Sequence, residues 1–124
     1  MIAADTSSLV AYLSGSGGSD AELIEGAIEA EQLILPPPVL CELMSKPDRA
    51  GFERALMRLP LLELMDGFWR RAGDAWRVLL EKGLKAAMAD APIAQCCIDA
   101  DVVLIARDRD YRHFARWCGL KLAK

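Results

Sequence analysis

Asp101-Val102-Val103-Leu104-Ile105-Ala106-Arg107-Asp108 is the stretch that decides the fold. Its apolar centre is continuous, where a strand with one solvated face would alternate. That is the pattern of a strand buried on both faces of a parallel sheet. It ends in Arg107-Asp108-Arg109-Asp110-Tyr111, a charged turn leading into a short helix. The other end of the chain repeats the arrangement. Met1-Ile2-Ala3-Ala4 is a short apolar run that stops at Asp5-Thr6-Ser7-Ser8, residues that cap helices. Each junction reads as strand, carboxylate, helix, the opening of a βα unit.

Working inward, Asp20 reads as the cap of a second helix, with Leu23, Ile24, Ala27 and Ile28 on one face. Residues 32–35 form a second predicted strand, stopped by Pro36-Pro37-Pro38. A third helix is expected over about 38–46, with Val39, Leu40, Leu43 and Met44 inward and Glu42 off that stripe. After Pro47-Asp48 a further helix would carry Phe52, Ala55, Leu56 and Leu59, and 61–64 reads as a short strand. Over about 67–82 the spacing of Phe68, Ala72, Ala75, Trp76, Leu79 and Leu80 predicts a helix whose stripe is core, not a base-stacking platform. Asp90 begins another helix, with Pro92 tolerated in its first turn, and 120–122 reads as a last edge strand. Strands alternating with helices over 1–124 predict one three-layer α/β/α domain with a mostly parallel central sheet.

Composition agrees. The 124 residues suit one core, and 53% hydrophobic with 27% charged residues suits a folded soluble domain. No apolar run approaches the roughly 20 residues that span a bilayer. The start lacks the basic and apolar regions of a signal peptide, so a cytoplasmic protein is expected. Cys41, Cys96, Cys97 and Cys118 include no C-x-x-C pair, and His113 is the only histidine, so neither a disulfide framework nor a zinc site is indicated. They read as small apolar residues of helix faces. Net charge −3 argues against a generic nucleic-acid coat, but setting aside four site acids leaves 14 acids against 15 bases. Nucleotide-binding glycine loops are absent, and the acidic pair and late lysine of a phosphoacceptor receiver domain are not evident.

Four carboxylates carry the functional reading. Asp5 and Asp108 follow strands, at the carboxyl ends where open parallel sheets bind ligands. Asp90 starts a helix, and Glu42 sits in an apolar run that obliges it to find solvent, a partner or a metal. Each has a structural alternative: a helix cap for Asp5 and Asp90, a turn for Asp108, a surface helix for Glu42. Brought together, they would need a counter-cation, and an all-oxygen set suits Mg²⁺ or Mn²⁺. Arg107 and Arg109 are candidates to hold a phosphate beside it, through the bidentate guanidinium fork. Arg112 and Arg116 read as a solvated face paired with Asp108 and Asp110, and His113 as a surface histidine.

Asp5-Thr6-Ser7-Ser8-Leu9, the Glu42 helix, Gly83-Leu84 leading to Ala89-Asp90-Ala91-Pro92-Ile93-Ala94, and Leu104-Ile105-Ala106-Arg107-Asp108-Arg109-Asp110-Tyr111 together resemble a PIN domain. The resemblance is closest to VapC-type toxins of toxin–antitoxin pairs. It implies a ribonuclease with a Mg²⁺ or Mn²⁺ site, in which Asp5, Glu42, Asp90 and Asp108 match the acidic positions. Thr6 matches the hydroxyl beside the first aspartate, with Asp110 in support. It also implies a homodimer silenced by a small antitoxin, with DNA bound only through that antitoxin and no membrane association. Two alternatives stand beside it: a PIN-type nuclease of RNA processing without an antitoxin, and a catalytically silent PIN-like protein-binding module. Ala106 replaces the Thr or Ser common in the family, removing a hydroxyl near the metal, and Pro92 replaces a Leu-like residue at little cost.

Overall fold

Strand β1 (Ile2–Ala4) lies at the centre of the sheet, with β2 (Leu33–Ile34) on one side and β3 (Val103–Ile105) on the other, all parallel, in the computed structural model, which describes residues 1–123. Ile2 pairs with Leu33 and Val103, and Ala4 with Ile105. Ala3, Ala4, Leu104 and Ile105 are buried, as the unbroken apolar run predicts for a sheet covered on both faces. Single parallel bridges extend the sheet at both edges, Leu61 beside Leu35 and Leu122 beside Leu104. The strands expected at 61–64 and 120–122 are thus reduced to one bridge each. At the first edge Pro60 has no N–H to give, and the chain turns to solvent after Leu62.

The helices are α1 (Thr6–Leu13), α2 (Ser19–Glu29), α3 (Pro37–Met44), α4 (Glu53–Leu56), α5 (Phe68–Glu81), α6 (Asp90–Ala100) and α7 (Tyr111–Cys118). Helices α1 and α2 pack together, α5, α6 and α7 form a second group, and α3 touches both α1 and α6. Leu9, Ile24, Leu43, Leu79, Ile93 and Phe114 are fully buried between them. Arg71 ties α5 to α6 through a two-pronged contact with Asp99, at 3.0 and 2.6 Å, and Gln95 adds a bond of 2.9 Å to the same carboxylate. The guanidinium holds the Asp99 carboxyl below its ordinary range. No helix among the described residues is long and apolar enough to cross a membrane.

Several expectations change in detail. The long helix after Pro47 is instead a 3-10 turn (Arg49–Gly51) and the single turn of α4, separated by Phe52 with φ −134°. On α5, Phe68, Ala72, Ala75 and Leu79 are core, whereas Leu80 is exposed. Trp76 is half-buried and donates its indole N–H to the Ala86 carbonyl at 3.1 Å. Asp20 does not cap α2: Gly18 occupies that position and the Asp20 carboxylate is used elsewhere. Among the described residues Arg112 and Arg116 pair with neither Asp108 nor Asp110; Arg116 lies over the Trp117 ring, 4.8 Å from its centre. All four cysteines are free, and Cys41 is exposed instead of packed. Burial pushes the Cys96 thiol up to about 12.

Candidate metal centre

The chain leaves β1 for one side of the sheet and later returns to the other, so the carboxyl end of β1 is a switch point where a crevice opens. Asp5 is the residue that ends β1. Its N–H donates to the Ile105 carbonyl at 2.9 Å, which sets it beside the end of β3 and the Arg107–Asp108 turn. Asp5 also caps α1: its carboxylate accepts from the Ser8 N–H and the Ser7 hydroxyl, both at 2.8 Å. Thr6, one residue on, donates its hydroxyl to Glu42 Oε1 at 2.6 Å and so fastens α3 to α1 at the pocket. Asp90 opens α6 from inside its first turn, with Ala89 at the cap position, and accepts the Ala87 N–H at 3.2 Å.

These residues line one pocket of about 540 Å³ that contains Asp5, Thr6, Glu42, Asp90, Arg107 and Asp108. All four predicted carboxylates are therefore brought together. The tightest group is Asp90, Asp108 and Asp110, with one oxygen from each lying within 4.8 Å of the others. Asp110 also gives its N–H to Asp108 Oδ1 at 2.9 Å. Arg109 is exposed and does not line the pocket; His113 is half-buried outside it. Ala106 is half-buried and packs on the core.

Burial is the main force on the acids. It raises the Asp5 pKa against the lowering effect of its bonds from Ser8 and Ser7. It raises that of Asp90 too, with the charges of Asp108 and Asp110 adding to the shift. Tyr111 is fully buried beside them, and burial followed by the charges of Asp90, Asp5, Glu42 and Asp108 pushes its hydroxyl above the ordinary value. It therefore stays protonated, as a donor at the foot of the pocket. Among the described residues no cation lies within 4.0 Å of Asp5, Glu42, Asp90, Asp108 or Asp110. Converging carboxylates, part-buried and short of counter-charge, with oxygen as the only donor atom, fit a hard divalent cation.

Arg107 reaches the pocket but its guanidinium is already engaged. Nε and Nη2 grip the two Asp20 oxygens, each at 2.8 Å, and Nη2 also donates to the Gly17 carbonyl at 3.1 Å. The arginine beside Asp20 holds that carboxyl down at about 2. Gly18 makes the grip possible. With φ +141°, it sits in a region that side chains avoid, and a Cβ there would meet Asp20 Oδ1 at 2.8 Å and Arg107 Nη2 at 3.0 Å. Gly18→Ala is expected to destabilise the fold by about 1–3 kcal/mol, as a shift of the urea midpoint at unchanged slope. An unshifted midpoint would contradict the reading of this loop.

Several lining residues, Ser7, Ser14, Lys46 and Tyr111 among them, were not marked as site residues by the sequence. Lys46 was traceable, because it lies four residues after Glu42 and therefore near the same helix face. The Arg107–Asp20 pair spans 87 positions and leaves no such trace. A second, apolar groove of about 540 Å³ adjoins the pocket and shares Glu42 with it; Pro37, Leu64, Trp69, Met88 and Pro92 form its walls. Trp69 is 66% and Met88 72% exposed.

A family model described as PIN domain matches residues 2–116. No curated protein matches the chain. Among solved structures it is similar to VapBC2 of Rickettsia felis bound to a promoter DNA fragment, with a TM-score of 0.74 and 20% identity over 99% of this chain and 98% of that one. It is similar to DNA-bound VapBC of Salmonella typhimurium, with a TM-score of 0.75 and 18% identity over 99% and 98%. It is also similar to VapBC-5 of Mycobacterium tuberculosis, from the VapBC family of toxin-antitoxin systems, with a TM-score of 0.71 and 16% identity over 99% and 97%. At these identities the likeness is one of fold.

Proposed function

This chain belongs to the PIN domain family, and from that footing we propose that it is a metal-dependent ribonuclease, the toxin of a type II toxin–antitoxin pair. The observation that carries the reading is the convergence of Asp90, Asp108 and Asp110 within 4.8 Å in a pocket that Asp5 and Glu42 also line. Asp5, Asp90 and Asp108 would hold the ion, with Asp110 in support. Bound there, Mg²⁺ or Mn²⁺ supplies charge neutralisation at the phosphate and a more acidic water.

The chain's own groups do the rest. Glu42 has Oε1 committed to Thr6, which leaves Oε2 to accept a hydrogen bond from the attacking water and aim it at phosphorus. Water adds as the P–O bond to the leaving nucleoside breaks; one water proton passes to the leaving oxygen through solvent. Arg107 keeps Nη1 outside its contacts with Asp20 and Gly17, and that N–H is the one it offers to a phosphate oxygen. Arg109, exposed and next to Asp108 in the chain, would meet a flanking phosphate.

The antitoxin reading is supported by similarly folded chains described as VapBC toxin–antitoxin structures, two of them bound to DNA. An apolar antitoxin segment would suit the Trp69–Met88 groove, and because Glu42 borders both groove and pocket, a partner seated there would reach the edge of the acidic site. In that arrangement the toxin meets DNA only through its antitoxin. The exposed apolar side chains, Leu80 and Met57 among them, also leave surface for a homodimer. Expression in a bacterial host tests the function. The wild type should arrest growth, the adjacent small gene should relieve the arrest, and Asp5→Asn should not arrest. Equal arrest by wild type and Asp5→Asn would exclude toxicity through this pocket.

A further inference from the structure

We propose that Lys46 is a substrate-phosphate residue, and that the RNA strand leaves the acidic pocket across it into the cleft beside Phe52. The proposal rests on the ribonuclease reading of the pocket and names a part of its substrate path.

Lys46 lines the acidic pocket together with Asp5, Glu42, Asp90 and Asp108. It also lines a smaller cleft of about 100 Å³, bounded by Val10, Leu13, Ser14, Asp48 and Phe52. The two hollows share Val10, Ser14 and Lys46, so they adjoin, with the lysine on the boundary between them. Among the described residues no carboxylate lies within 4.0 Å of Lys46 Nζ, and the ammonium makes no hydrogen bond. Arg107, the other cation lining the pocket, has Nε and Nη2 occupied by Asp20 and Gly17. Lys46 is thus a cation at the pocket with all three donors available.

The chemistry selects the occupant. A divalent ion among the acids balances the scissile phosphate, but the next phosphate along the strand still needs a positive partner, and an ammonium is a good point charge for its free oxygens. Asp48 in the cleft repels a phosphate there. What enters is therefore a base, set against Phe52, Leu13 and Val10, as single-strand binders use aromatic faces. The cleft is too small for a base pair, so the path suits a single strand.

The test pairs steady-state cleavage in Mg²⁺ with fluorescence anisotropy of a labelled single-stranded RNA oligonucleotide. Lys46→Ala should raise KM about tenfold with kcat little changed, the loss of one charge-assisted contact. It should also flatten the slope of log KM against log salt by about 0.7, the value for one phosphate on a single strand. Lys46→Arg should restore both. In an Asp90→Asn background, where cutting is removed, adding Lys46→Ala should weaken RNA binding by the same factor. Unchanged KM and salt slope in a protein that cleaves, or a fall in kcat alone, would overturn the assignment of Lys46 and leave the ribonuclease reading intact. Absence of cleavage by the wild type would overturn that reading, and the Lys46 proposal with it.

Discussion

Asp90→Asn is expected to lower metal-dependent RNA cleavage by about 10³-fold or more while raising the melting temperature of the metal-free protein. The two effects have one cause. Asp90 is buried at the start of α6, and its carboxylate faces Asp108 and Asp110 with no cation within 4.0 Å among the described residues. Its pKa is raised, by burial first and by Asp108 next, so the charged form is disfavoured in the fold. A group whose folded pKa lies above its unfolded value makes stability fall as pH rises from the ordinary carboxylate range through the folded value. Asparagine keeps the shape and can still accept the Ala87 N–H, but it removes the charge and that loss of stability. On the proposed ribonuclease reading catalysis would move the other way, because an ion held by fewer carboxylates would stabilise the phosphoryl transition state less, and each 1.36 kcal/mol is a factor of about ten. Gel assays in Mg²⁺ and thermal melts in chelator check both signs. A variant that is less stable without metal, or as active with it, would contradict the account.

Phe114→Ala is expected to cost about 3–5 kcal/mol, lowering the melting temperature by roughly 10–15 °C. Phe114 is fully buried on α7, with its ring centre 6.3 Å from that of Tyr111, and its carbonyl accepts the Leu120 N–H that closes the helix. Truncation would leave a cavity under Tyr111, which stands against Asp90, so metal affinity should weaken along with stability. Urea unfolding gives the first effect and Mn²⁺ titration the second. A cost below about 1 kcal/mol would mean that α7 is held by something other than this ring.

Much of the fold was legible because burial writes itself into local sequence. Val103–Ile105 lacks polar alternation because both faces of β3 are covered, and Asp5-Thr6-Ser7-Ser8 announces the α1 cap because a strand must end before a helix starts. Of the candidate acids, pattern alone marks Asp5 and Asp108, which follow strands, whereas Asp90, at a helix start, and Glu42, inside α3, drew their weight mainly from the family resemblance. What escaped depends on contacts distant in sequence. Nothing local tells Asp20 to leave the cap position to Gly18 and grip Arg107, or separates Leu80, exposed, from Leu79, buried one residue before. Phe52 broke a predicted helix because α4 has too little apolar surface to pay for a longer one, with Leu56 its sole buried side chain.

The most direct test of the central claim, that Asp5, Asp90 and Asp108 form one divalent-cation centre, is calorimetric titration of the purified protein with Mn²⁺ near neutral pH. A saturable heat is expected in the wild type, and Asp90→Asn should abolish it in a folded protein. A wild type that takes up no Mn²⁺, or binding that Asp90→Asn leaves unchanged, would contradict the claim.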